Sequence, residues 1–171
     1  MLEFDVVELG EANHPEPGDE AAEFTRPLVN DEFWEDRSLS ELSSEGDGPT
    51  ILVFTPMLGS FVGKYVWDEL RDRGWDDRAG RVVGVTISTP YAVKRFLEDE
   101  ACPFPFFSDP ANAVAEAYGV DHELDDMEGI SEPRPAFFAL DSDLQVQGAW
   151  VAREWPEFPD YDDLEDELGL E

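Results

Sequence analysis

Thr50-Ile51-Leu52-Val53-Phe54-Thr55-Pro56-Met57-Leu58-Gly59-Ser60-Phe61-Val62-Gly63 decides how the rest of the chain is read. Its first six residues form a continuous apolar, β-rich run, the pattern of a strand covered on both faces. Pro56 ends the run, and Ser60 carries a side chain suited to cap a helix. From Phe61 the spacing predicts a helix to Arg73, with Phe61, Tyr65, Val66 and Leu70 on its packed side and Gly74 as its stop.

Downstream the alternation continues. Arg81 to Ile87 reads as a second buried strand, and Pro90 opens a helix through Glu100 whose packed side is Tyr91, Val93, Phe96 and Leu97. Phe104 to Phe107 is a short third strand, and Pro110 to Tyr118 an alanine-rich helix stopped at Gly119. A loop covers Val120 to Arg134. Ala136 to Leu140 and Leu144 to Val151 then form a hairpin about Asp141-Ser142-Asp143, and a last helix runs from Asp160 to Leu168.

Upstream, Leu2 to Leu9 alternates apolar and acidic residues as a half-buried strand does, and Glu11 to Glu20 is a loop. Phe24 to Val29 is a short strand that Pro27 assigns to a sheet edge. Ser38 to Leu42 makes one helical turn. The order is a leading β segment, then βαβα, βα and ββα. Right-handed crossovers make the centre of such a sheet parallel, and the terminal hairpin adds antiparallel strands. The expectation is one domain over residues 1–171, a three-layer α/β/α fold with a central mixed sheet.

Charge excludes several function classes. Asp and Glu total 42 against 11 Lys and Arg, a formal net charge of −31, and Lys64 and Lys94 are the only lysines. Such a surface repels phosphate backbones and anionic lipid, so nucleic acid and membrane surfaces are not expected partners. The acids are spread along the whole chain, unlike a local acidic tail. Two readings stand: attraction of a basic partner, or adaptation to a salty cytoplasm, where self-repulsion is screened. The composition resembles that of proteins from salt-in halophiles, and that reading is adopted.

The start, Met1-Leu2-Glu3-Phe4-Asp5, has neither a basic region nor an apolar signal segment, and no apolar run is long enough to span a bilayer. A soluble, cytoplasmic protein is expected. Cys102 is the only cysteine, so no intramolecular disulfide can form. His14 and His122 lack partners at metal-ligand spacing, and the Asp125-Asp126 pair sits in no calcium-loop pattern. No metal or cofactor is expected, and no Gly-x-Ser-x-Gly turn marks a serine hydrolase.

Several stretches together resemble the peroxiredoxins, the alkyl hydroperoxide reductase and thiol-specific antioxidant family of the thioredoxin superfamily. Gly18-Asp19-Glu20-Ala21-Ala22-Glu23-Phe24 is similar to the family's opening Gly-Asp-x-Ala-Pro-x-Phe, with Ala22 in the proline's place. Ser38 to Leu42 is similar to the segment before the central strand. Phe104 to Pro110 resembles the family's Pro-Phe-x-x-x-Ser-Asp run, continued by Ala115 to Val120, and Phe138 to Asp141 resembles its Phe-x-x-Asp strand. The resemblance spans about Gly18 to Leu168. It implies a thioredoxin-like fold and peroxide chemistry by a cysteine in Pro-x-x-x-Thr/Ser-x-x-Cys.

In that motif Pro56 and Ser60 stand where the proline and hydroxyl belong, and Gly63 stands where the peroxidatic cysteine belongs. A thiolate made nucleophilic at the first turn of a helix would attack the peroxide, and glycine supplies none. The resemblance therefore implies a vestigial pocket of Pro56, Ser60, Gly63 and Arg134. The family's arginine aligns with Pro135, one residue after Arg134. Arg134 either lines that pocket or pairs with a carboxylate, and a cis Arg134–Pro135 bond would match the cis-proline of thioredoxin-type proteins.

Cys102 is read either as a redox cysteine or as a small apolar filler, and Glu98, Asp99 and Glu100 before it should raise its pKa. Trp67 and Trp75 suit helix-to-sheet packing, and Trp150 and Trp155 a packed C-terminal flap or a homodimer contact. Two functions follow. One is a peroxiredoxin-like protein without peroxidatic chemistry that binds a small oxidised molecule or a redox partner protein. The other is a thiol peroxidase or oxidoreductase using Cys102.

Overall fold

The computed structural model describes residues 7–46, 48–123 and 128–170. The chain order is β1 (Val7–Glu8), β2 (Thr25–Val29), β3 (Trp34–Ser38), α1 (Leu39–Ser44), β4 (Thr50–Phe54), α2 (Phe61–Asp72), α3 (Trp75–Arg78), β5 (Arg81–Thr86) and α4 (Pro90–Asp99). It continues with β6 (Phe106–Ser108), α5 (Ala113–Ala117), β7 (Asp121–His122), β8 (Glu132–Pro133), β9 (Ala136–Leu140), β10 (Val146–Val151), β11 (Glu154–Trp155) and α6 (Tyr161–Leu168).

Seven strands form one mixed sheet in the order β10-β9-β4-β5-β6-β2-β3. β4, β5 and β6 run parallel, joined by helical crossovers, while β9 runs antiparallel to β4 and β2 antiparallel to β6. Strand periodicity builds the two core layers. Leu52 and Phe54 point from β4 into a cluster with α1 and α5, and Ile51 and Val53 into a second with α2, α3, α4 and α6. This is the expected three-layer α/β/α arrangement.

Local chemistry ends and caps the helices as the residues dictate. Ser60 caps α2, Thr89 caps α4 with Pro90 at its first position, and Asp160 caps α6. Gly74, with φ +72°, turns the chain from α2 directly into α3 and brings Trp75 fully into the core. Gly84 lies beneath two rings, since a Cβ there would overlap Phe106 and come within 2.8 Å of Trp67. α6 is clasped to α2 and α3 by ion pairs of 3.0 Å from Arg73 and 2.8 Å from Arg78 to the nearly buried Glu165.

Several expectations need correction. β2 is not an edge strand, because β3, which the sequence did not signal, covers it. Pro27 is tolerated since β2 pairs with β6 only through Leu28 and Val29. The third strand begins at Phe106 rather than Phe104, and the Val120–Arg134 loop contains β7 and β8. Tyr65 and Tyr91 are not on packed sides: they are exposed, Tyr91 standing edge-on to the Trp34 ring at 5.0 Å. The inward face of α2 is Val62, Gly63, Val66, Trp67 and Leu70. Of the expected first strand, Leu2 to Val6 lie outside the described residues, as does the Asp125-Asp126 pair. Among the described residues no helix is long and apolar enough to cross a membrane, and no cluster of acids, histidines and cysteine could hold a metal.

Candidate functional site

The loop Pro56–Ser60 leaves the end of β4 and is held from three sides. The Leu58 N–H donates to Ser88 Oγ at 3.1 Å, and Ser88 is itself fixed by Ser108 Oγ–H donating to its carbonyl at 2.6 Å. The Met57 N–H donates to Glu132 Oε2 at 3.1 Å. Ser60 closes the turn, its N–H donating to the Met57 carbonyl and its Oγ accepting from the Gly63 N–H at 3.2 Å. Pro56 is buried and Gly59 adopts φ +97° at the tip.

Gly63 is buried on the first turn of α2, inside this loop. A Cβ there would face Ser60 Oγ at 3.2 Å, the Pro56 carbonyl at 3.4 Å and the Met57 carbonyl at 3.5 Å. Pro56, Ser60 and Gly63 are thus brought together around one point at a helix N-terminus, where backbone N–H groups and the helix dipole favour negative charge.

Arg134 is not part of that group. Its buried guanidinium donates to the carbonyls of Gly10 at 3.0 Å, Ala152 at 3.4 Å and Asp121 at 3.2 Å, and lines a separate hollow of ≈ 530 Å³. That hollow lies between residues 8–12 and 151–154, and Pro56, Ser60 and Gly63 do not line it. The two places are neighbours: Val62, beside Gly63, packs with Leu9, Ala152 and Trp155. Both sequence readings of Arg134 are corrected, since it neither joins the loop nor pairs with a carboxylate among the described residues. Burial lowers its pKa, with the Asp121 charge opposing. The Arg134–Pro135 bond is trans, and the cis peptide of the described chain is Trp155–Pro156.

Cys102 lies at the other end of the sheet. β4 and β5 run in parallel register from Thr50 beside Arg81 to Phe54 beside Val85, and the loop at Pro56 follows their far end. Cys102 lines a hollow with Arg81, Arg37 and Phe104, at the starting end, about 13 Å away by strand rise. Burial pushes its thiol up to about 11, with a Phe104 carbonyl contact and Arg71 opposing. The acids before it in sequence are not the main cause: Asp68 and Glu100 add little beside desolvation.

One group escaped the sequence. β7 pairs with β8 so that His122 stands opposite Glu132, both buried, with Nε2 and Oε1 3.6 Å apart. The Trp155 ring covers His122 at 4.9 Å. This buried acid–imidazole pair supports the Pro56 loop through Met57. Two-residue strands carry no period-two signal, so no sequence pattern marked it.

A central parallel strand leading through a proline loop to a capped helix, closed by an antiparallel hairpin and a last helix, defines a thioredoxin-like protein. The AhpC/TSA family profile matches residues 17–149, and the chain belongs to that family, the peroxiredoxins. Similar solved structures include the peroxidoxin BcpB of Mycobacterium tuberculosis, 24% identical with a TM-score of 0.72 over 91% of this chain and 96% of that one. The thiol peroxidase of Chromobacterium violaceum is 20% identical with a TM-score of 0.74 over 98% and 97%. A peroxiredoxin-like protein of Aquifex aeolicus is 21% identical with a TM-score of 0.73 over 91% and 87%. At these identities the likeness is one of fold. No curated protein matches the sequence.

Proposed function

We propose that this member of the AhpC/TSA family has lost peroxidatic chemistry and acts by binding a small molecule or a redox partner protein. The observation that carries this reading is Gly63: a buried glycine at the helix N-terminus, encircled by Ser60 Oγ and two loop carbonyls, with no cysteine thiol in the loop. Peroxide reduction needs a thiolate that attacks oxygen and becomes a sulfenic acid. Cys102 does not replace it. Its thiol is half-buried, raised to about 11 and separated from the loop by the length of a strand, so an oxidoreductase acting through Cys102 is disfavoured.

The test is peroxide consumption in molar KCl with a thiol reductant, comparing wild type, Cys102→Ser and Gly63→Cys. Wild type and Cys102→Ser should both stay at the uncatalysed rate. Gly63→Cys places a thiol at the loop and should form a sulfenic acid trapped by dimedone. Rapid wild-type turnover that disappears in Cys102→Ser overturns the proposal.

A further inference from the structure

The hollow beside Arg134 has an unusual charge arrangement. Arg134 is 5% exposed, and its three bonded acceptors are neutral backbone carbonyls. A guanidinium has five donors, and here Nε–H finds no acceptor among the described residues while Nη2, with two N–H bonds, donates to the Asp121 carbonyl. Among the described residues this buried positive charge has no ion-pair partner, at a cost that a ligand oxyanion would offset. Nε–H is sealed from solvent, so the spare N–H of Nη2 is the donor left for a ligand carboxylate.

The mouth of the same hollow has the opposite sign. β1 and β11 pair with Glu8 directly opposite Glu154, and both, with Glu11, line it. Like charges facing each other across antiparallel strands are unfavourable unless something lies between them. Arg153 is the other arginine of the lining and is exposed. A simple anion must pass three carboxylates to reach Arg134, and a simple cation meets Arg134 at the bottom. A molecule with both charges fits both ends.

We propose that this hollow binds a small zwitterion, its carboxylate on Arg134 and its ammonium between Glu8 and Glu154. The site deepens the binding role assigned above by naming the ligand's chemistry. Its volume of ≈ 530 Å³ accommodates amino acids with several carbons between the two charges. The wall it shares with the first turn of α2, through Leu9, Ala152 and Val62, places such a ligand next to the Pro56 loop.

The test uses ligand-observed NMR titration in 2 M KCl with glycine, β-alanine and 4-aminobutyrate, and with acetate and methylammonium as single-charge controls. Chloride competes equally for every carboxylate, so the ratios survive the salt. At least one amino acid should bind tenfold more tightly than either control. Arg134→Lys should weaken it tenfold by removing the guanidinium donor that faces the carboxylate. Because Arg134 also ties Gly10 to Ala152, that variant can unfold, so the rim gives the second arm. Glu8→Gln/Glu154→Gln, on exposed residues, should weaken the amino acid and strengthen acetate. Acetate binding as well as the amino acids in wild type, an unchanged preference in the rim variant, or no binding by any probe overturns the site. Peroxide turnover is not read here, so failure of the hollow leaves the reading of Gly63 standing, and the reverse.

Discussion

The Met57 N–H donates to the buried Glu132 carboxylate at 3.1 Å, across 75 residues of sequence. A loop that must keep its backbone inside the protein needs acceptors for its N–H groups, and a carboxylate from β8 supplies one. The same glutamate lies 3.6 Å from His122, so the strand pair β7–β8 fixes both the imidazole and the loop.

Removing that acceptor should be costly. Glu132→Ala orphans the Met57 N–H and is expected to lose about 1.5–3 kcal/mol, the usual range for a hydrogen bond to a charged group. For a chain of this size that lowers Tm by about 3–12 °C in calorimetry. Glu132→Gln keeps an oxygen in place and should lose less than half as much. Equal damage from both would show that the charge, rather than the acceptor, holds the loop.

The two buried glycines near the site should respond oppositely to a methyl group. At Gly84 a Cβ overlaps the Phe106 ring and approaches Trp67 to 2.8 Å, so Gly84→Ala should cost about 2–3 kcal/mol by overpacking. At Gly63 the one approach under 3.4 Å is to the Ser60 hydroxyl, which can shift by a few tenths of an ångström. Helix propensity then favours Gly63→Ala by up to about 1 kcal/mol. Urea titration of both variants checks this, and a loss at Gly63 as large as at Gly84 would refute it.

Cys102 should be slow to alkylate. With its thiol at about 11, the thiolate fraction near neutrality is small, and the iodoacetamide rate should keep rising with pH beyond 9. The folded pKa lies above the ordinary thiol value of 9.0, so the stability due to the neutral thiol is full below pH 9 and is lost as pH rises towards 11. Cys102→Ser should remove that part of the alkaline decline. A rate plateau below pH 9 would contradict the burial argument.

Salt should matter more than for an ordinary domain. With a net charge of −31, reducing KCl from molar to 10 mM lengthens the Debye length from about 3 to about 30 Å and restores self-repulsion. Tm should fall appreciably in a KCl series. A flat series would remove the halophile-like reading of the composition.

Much of the fold was legible because its signals are local. The unbroken apolar runs of β4, β5 and β9, the caps Ser60 and Thr89, and the stop at Gly74 each act within a few residues. The misassignments arose where partners are distant. β3, Trp34-Glu35-Asp36-Arg37-Ser38, has a charged middle and becomes a strand only by pairing with β2 at the sheet edge. Tyr65 and Tyr91 have core-like chemistry, but nothing packs over them sufficiently to bury them. At the candidate site, Pro56, Ser60 and Gly63 came from one short motif, whereas Arg134 was drawn by the carbonyls of Gly10 and Ala152.

By itself the amino-acid order determined the layered α/β/α fold, the capped helix after the central strand, and the absence of a cysteine from the turn between them. Those depend on residue type, periodicity and separations of a few positions. Only the tertiary structure decided that Arg134 turns away from that turn into a hollow rimmed by Glu8 and Glu154, and that Cys102 lies at the opposite end of the sheet. The reason is physical: a buried charge goes wherever the folded chain leaves acceptors and space, and these come from segments more than a hundred residues apart.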